Sequence, residues 1–151
     1  MYYDMDMYDY TRNNNEAEPK GLLDLLIEAM KDERHDRVKY TMMMDRAKNE
    51  KIRTQIQFAR DDEMKHYKMF RQIYCMLTGQ SIDIPLPKVK LADDFIENIE
   101  SSINGELAAV ELYRKIKSML PNMCLRDMLY EIITDEQEHA TRFTYLYAML
   151  E

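Results

Sequence analysis

Apolar residues recur at the alternating three- and four-residue spacing of an amphipathic helix in four long stretches of this chain, and charge interrupts each stretch near its middle. The first stretch, Gly21 to Lys48, places Leu22, Leu26, Met30, Tyr40, Met44 and Ala47 on one stripe, and Pro19 stands where a helix can begin. After a break at Asn49 and Glu50, a second stripe of Ile52, Ile56, Ala59, Phe70, Ile73 and Leu77 runs to Gly79, a natural left-handed stop. Residues 80–90 (QSIDIPLPKVK) contain Pro85 and Pro87 and read as an extended connection. The helical pattern returns at Leu91 through Ile99, Ile103, Val110, Tyr113 and Ile116 and breaks at Pro121. It resumes through Leu125, Leu129, Ile132, Phe143, Leu146 and Leu150. Four helices of this length, each on the order of 40 Å long, predict an all-α bundle built as hairpin 19–79, linker 80–90 and hairpin 91–151. Residues 1–18, rich in Tyr, Met and Asp, lack a helical period and read as a flexible tail.

Composition narrows this picture. A length of 151 residues suits one domain, and three glycines with four prolines are too few for a fold of many short strands. A hydrophobic content of 46% is too high for a disordered chain. The formal charge of -7, with no basic run, argues against a nucleic-acid partner and favours cations as ligands. No apolar run has membrane-spanning length, and Asp4, Asp6 and Asp9 replace the basic start of a signal peptide, so a cytoplasmic protein without a membrane partner is expected. Cys75 and Cys124 are too far apart for a Cys-x-x-Cys metal ribbon and are expected as buried apolar side chains. Three consecutive methionines, Met42 to Met44, spread over three helix faces and are read as packing.

The charged interruptions carry the chemistry. Glu63 and His66 fall inside the second stripe, Glu136 and His139 inside the fourth, Glu33 inside the first and Glu106 inside the third. One offset of 73 residues relates Glu33 to Glu106, Tyr40 to Tyr113, Asp62 to Asp135, Glu63 to Glu136, His66 to His139 and Phe70 to Phe143. Glu33 and Glu63 are equidistant from Lys48, and Glu106 and Glu136 are equidistant from Pro121. In antiparallel hairpins each pair therefore lies side by side, about 22 Å from its turn. Four carboxylates and two imidazoles gathered inside a bundle would cost several kcal/mol per uncompensated charge. Two divalent cations would neutralise the four carboxylates and move the formal charge from -7 to -3. Oxygen and imidazole donors suit iron, manganese or zinc better than calcium.

Asp62 and Asp135, four residues before their histidines, are candidates to receive the outer ring N–H of the histidine in the opposite repeat; the alternative is a solvated surface charge. Tyr40 and Tyr113 are either core aromatics or hydrogen-bond donors to ligand carboxylates. His35 is expected to be exposed. Arg37 either pairs with a carboxylate or extends to solvent. Gly105, mid-helix beside Glu106, suggests a close backbone approach near the site.

Two glutamates from two helices plus Glu-x-x-His from two others is the arrangement of ferritin-like dimetal carboxylate proteins, and the chain resembles that superfamily, rubrerythrin's helical domain most of all. ERHDRVKYTMMMDRAK (33–48) resembles the rubrerythrin first helix, GELAAVELY (105–113) its third and DEQEHATRF (135–143) its fourth. The resemblance covers about residues 20 to 150. It implies a ferritin-like four-helix bundle holding two iron ions, with Glu63 and Glu136 bridging and Glu33 and Glu106 terminal. The implied activity is reduction of hydrogen peroxide or dioxygen, in a homodimer or higher oligomer. Two departures stand out: Ala108, Ala109 and Val110 occupy the turn where rubrerythrins carry a further metal-binding Glu, and the Cys pairs of a rubredoxin domain are missing. Electrons would then come from a separate, rubredoxin-like donor. Other readings of the same residues are a ferroxidase or iron-storage protein, which would elute as a 12-mer or 24-mer, a manganese catalase-like enzyme, and a structural bundle with a vestigial site.

Overall fold

The two halves of the chain begin and end their helices at matching positions. A computed structural model describes residues 20–151 as four helices: α1 (Leu22–Arg46), α2 (Glu50–Thr78), α3 (Phe95–Met119) and α4 (Met123–Leu150). The offset of 73 carries both ends of α1 onto both ends of α3, and the start of α2 onto the start of α4. The caps repeat as well. Asn49 accepts from the Ile52 N–H and Asn122 from the Leu125 N–H, each at 3.0 Å, so the same side chain closes both hairpin turns. Gly79 stops α2 with φ of 73°, a conformation that a side chain would strain. The tail expected over residues 1–18 and the start expected at Pro19 lie outside the described residues.

α1 packs antiparallel on α2 and α3 on α4, and the hairpins join through α1 against α3 and α2 against α4. Residues 80–94 form the connection, longer than expected, because α3 starts at Phe95 and not at Leu91. The reason is local. Asp94 caps α3 by accepting from the Ile96 N–H, while the Asn98 side chain bonds both the N–H and the carbonyl of Ala92, holding this stretch extended. Leu91 is apolar because it fills the core from the connection, where it is 4% exposed.

The core is two separate apolar clusters. One joins the first half of α1 to the second halves of α2 and α3 and the first half of α4. The other joins the opposite ends of the same four helices. Tyr40 against Phe143 (ring centroids 5.0 Å apart) and Tyr113 against Phe70 (4.9 Å) form the facing edges of the two clusters. The polar residues predicted from the interruptions lie between them. Met43 and Met44 are buried packing residues, as read from their spacing.

Two expectations are corrected. Cys75 and Cys124 are both exposed, since each lies off the apolar stripe of its helix, two residues after Ile73 and one before Leu125. Gly105 is exposed, and a Cβ placed on it would meet nothing within 4 Å, so it serves no close approach. It only weakens α3. Gly105→Ala is therefore expected to stabilise the chain by about 0.5–1 kcal/mol, read as a rise of a few degrees in thermal midpoint. A lower midpoint would show that the backbone there needs its freedom.

Candidate metal centre

Each helix contributes to the layer between the two clusters from its middle turns: Glu33 from α1, Glu63 and His66 from α2, Glu106 from α3, Glu136 and His139 from α4. A three-residue separation on a helix turns Glu and His to the same side, so α2 and α4 each present a pair. All six are fully buried, none more than 1% exposed. Their donor atoms fall into two overlapping groups, each with all atoms within 4.8 Å of one another. One group is Glu33, Glu63, His66 and Glu136; the other is Glu63, Glu106, Glu136 and His139. Each group could hold a metal ion, and Glu63 and Glu136 belong to both.

Surrounding side chains fix how these residues point. His66 Nε2–H donates to Asp135 Oδ2 at 2.9 Å, and His139 Nε2–H donates to Asp62 Oδ2 at 2.8 Å. Both rings therefore turn Nδ1 inward. Tyr40 donates to Glu106 Oε1, and Tyr113 donates to Glu33 Oε1, so each of these glutamates keeps its other oxygen for the centre. All four contacts cross from one repeat to the other, and both tyrosines are donors besides being core aromatics.

The inward atoms have no partners. Seven of the buried side-chain atoms that lack a hydrogen bond among the described residues are Glu33 Oε2, Glu63 Oε1, Glu106 Oε2, both Glu136 oxygens and the two histidine Nδ1 atoms. His66 Nδ1 lies 2.9 Å from Glu136 Oε1, and His139 Nδ1 lies 3.2 Å from Glu63 Oε1, in neither case aligned as a hydrogen bond. Folded proteins seldom leave buried polar atoms unmatched, and so many converging on one point fit cations that supply the missing partner. An oxygen-rich set with one imidazole per group suits a first-row transition metal.

Without metal, protons take up part of this charge. Burial, together with the charges of the other glutamates, pushes Glu63 and Glu136 well above the usual carboxylate range. Burial alone would lower the histidines. The hydrogen bond to Asp135 and the nearby Glu136 and Glu33 carboxylates instead raise His66 well above its ordinary value, and Asp62 and Glu106 raise His139 to about 9. Asp135 is held at about 2: burial opposes this, but the His66 and Lys65 donors outweigh it. Metal can bind only as the inward protons leave, so raising the pH through the interval below about 9 should tighten binding. We expect the dissociation constant for zinc to fall about tenfold per pH unit for each proton released, measured by chelator competition between pH 6 and 9. A pH-independent constant would contradict this protonation pattern.

Sequence reasoning missed Lys65. Its Nζ lies 2.7 Å from Asp135 and 3.5 Å from Asp62, tying together the two aspartates that orient the histidines. The available signal was the position between Glu63 and His66, where the second repeat has Glu138. His35 is exposed as expected, its Nδ1 2.9 Å from Asp36. Arg37 is half-buried beside Glu33, with no carboxylate partner among the described residues.

No protein-family model matches this chain. An uncharacterized Bacillus subtilis protein, YhjR, is 26% identical over 106 residues, covering 70% of this chain and 72% of its own length. A hypothetical protein from Pyrococcus furiosus superposes with a TM-score of 0.77 at 22% identity, covering 86% of this chain and 90% of the other. The second likeness extends the four-helix fold to another solved chain. Neither name carries an activity. Among the described residues, no helix is long and apolar enough to cross a membrane.

Proposed function

We propose that this chain is a rubrerythrin-like non-haem di-iron protein that reduces hydrogen peroxide or dioxygen in the cytoplasm, with electrons from a separate donor protein. The observation that carries this reading is the pair of overlapping buried donor groups sharing Glu63 and Glu136. Glu33 and His66 would complete the holding of one ion, Glu106 and His139 that of the other. When bound, two iron ions would supply a metal pair that cycles between ferrous and ferric states.

The chain's own residues favour such cycling in three ways. Anionic oxygens dominate the donor set and favour the higher oxidation state. Asp62 and Asp135 hold the imidazoles by their outer nitrogens and raise their basicity toward metal. The two apolar clusters close the layer from both ends and exclude bulk water, strengthening the electrostatics between them.

Anaerobic reconstitution with Fe(II), followed by rapid mixing with peroxide and separately with dioxygen, tests the reading. Two bound irons per chain, oxidised much faster by peroxide, are expected. Fewer than about one bound iron per chain would overturn the proposal. Equal rates with both oxidants would remove the peroxide preference.

A further inference from the structure

The two repeats share their inward residues but differ in what lies just outside. Between α1 and α2 a cleft of about 260 Å³ has Glu33 and Glu63 in its lining, so its floor is a wall of the candidate metal centre. Above that floor stand Arg34 and Arg37 from α1 and Lys68 and Arg71 from α2. At the matching positions of the second repeat are Leu107, Val110, Thr141 and Thr144, none of them charged. In a chain of formal charge -7, four cations on one side of the centre and none at the equivalent places opposite make an asymmetry that metal holding does not require.

Two of the four cations are committed. The Arg34 guanidinium lies 3.7 Å from the Tyr67 ring centre and 3.3 Å from Asp83, and the Tyr67 hydroxyl bonds the same carboxylate. Arg71 Nε donates to the Ile82 carbonyl at 2.7 Å. These contacts fasten the connection after α2 along the edge of the cleft and hold its shape. Arg37 and Lys68 have no carboxylate partner among the described residues, and both line the cleft. The volume admits several waters or a small polyatomic anion. Unpaired positive charge over a partly enclosed cleft concentrates anions there and speeds their arrival.

We propose that this cleft holds a small inorganic anion against the outer wall of the candidate metal centre, with Arg37 and Lys68 as its partners beside the Glu33 end. The inference rests on the di-metal reading, since the floor carboxylates repel anions until metal neutralises them. Cations face the opposite demand, so metal loading should not depend on this cleft.

Azide binding to the zinc-loaded full chain, followed by calorimetry, tests the proposal without relying on turnover. Arg37→Gln combined with Lys68→Gln should weaken azide by about tenfold at low ionic strength, and added salt should shrink that difference. Thr141→Glu, which changes charge on the matching side of the second repeat, should leave azide affinity within about twofold. Bound zinc is counted on the same samples. Two zinc ions per chain with azide affinity unchanged in the double variant would overturn the cleft assignment alone. Equal weakening by Thr141→Glu would reduce the effect to overall charge and also overturn it. Absence of bound zinc would overturn this proposal together with the metal reading.

Discussion

Replacing Glu136 by alanine is expected to leave the chain with almost no bound transition metal, whereas Glu33→Ala should still retain one ion. The contrast follows from membership. Glu136 and Glu63 each serve both donor groups, while Glu33 and Glu106 serve one apiece. Removing a shared carboxylate takes a donor oxygen from both groups, and two cations held there would have less negative charge to offset their repulsion, so the losses should compound. Removing Glu33 leaves the group of Glu63, Glu106, Glu136 and His139 intact. Metal analysis after dialysis against trace Fe(II) or Mn(II) reads the result as stoichiometry: two for wild type, near zero for Glu63→Ala or Glu136→Ala, and one for Glu33→Ala or Glu106→Ala. Equal stoichiometry in all four variants would contradict the assignment of shared and terminal ligands. Unchanged helical circular dichroism in each variant separates loss of ligand from loss of fold.

The second large effect concerns stability. Each site occupied at about a thousand times its dissociation constant adds roughly 4 kcal/mol to folding stability. Two such sites should raise the thermal midpoint of a chain this size by roughly 15–30 °C. Substitutions that remove charge should act in the opposite sense on the two forms. Glu63→Gln with Glu136→Gln deletes two carboxylates that burial and mutual repulsion already drive toward protonation. The metal-free variant should melt at or above metal-free wild type, and added metal should shift it little. Calorimetric melts with and without Mn(II) check both halves. A double variant that melts lower without metal and still responds fully to it would show that these residues are structural and not metal-holding.

Much of this was legible in the sequence because a polar residue in an apolar stripe is visible without coordinates. Glu63 and His66 occupy core positions by spacing, and the same pair recurs 73 residues later as Glu136 and His139, so burial and common depth could be inferred together. The crossed partners Asp62 and Asp135 were accessible for the same reason, since four residues before a histidine places a carboxylate near its face. Other features escaped because they depend on contacts between segments. Leu91 matches a helical stripe yet packs from the extended connection, and only the Asp94 cap and the Asn98 bonds to Ala92 reveal where α3 starts. The cysteines were misjudged by residue type although their positions lay off the stripe. Lys65 and the basic cleft required knowing which outward faces meet, and periodicity describes only the inward one.

The crossing of Asp62 to His139, Asp135 to His66, Tyr40 to Glu106 and Tyr113 to Glu33 bears on how this chain can change over time. A substitution at one of these positions is felt by a ligand in the other half, so neither half can drift alone at the centre. Next to these positions the two repeats differ. Lys65 stands where the second repeat has Glu138, Asp32 where it has Gly105, and Arg34 where it has Leu107. The repeats match where each half holds the other's carboxylates and imidazoles, and they differ in the residues just outside. Two like hairpins can thus carry a one-sided cleft beside a two-sided centre.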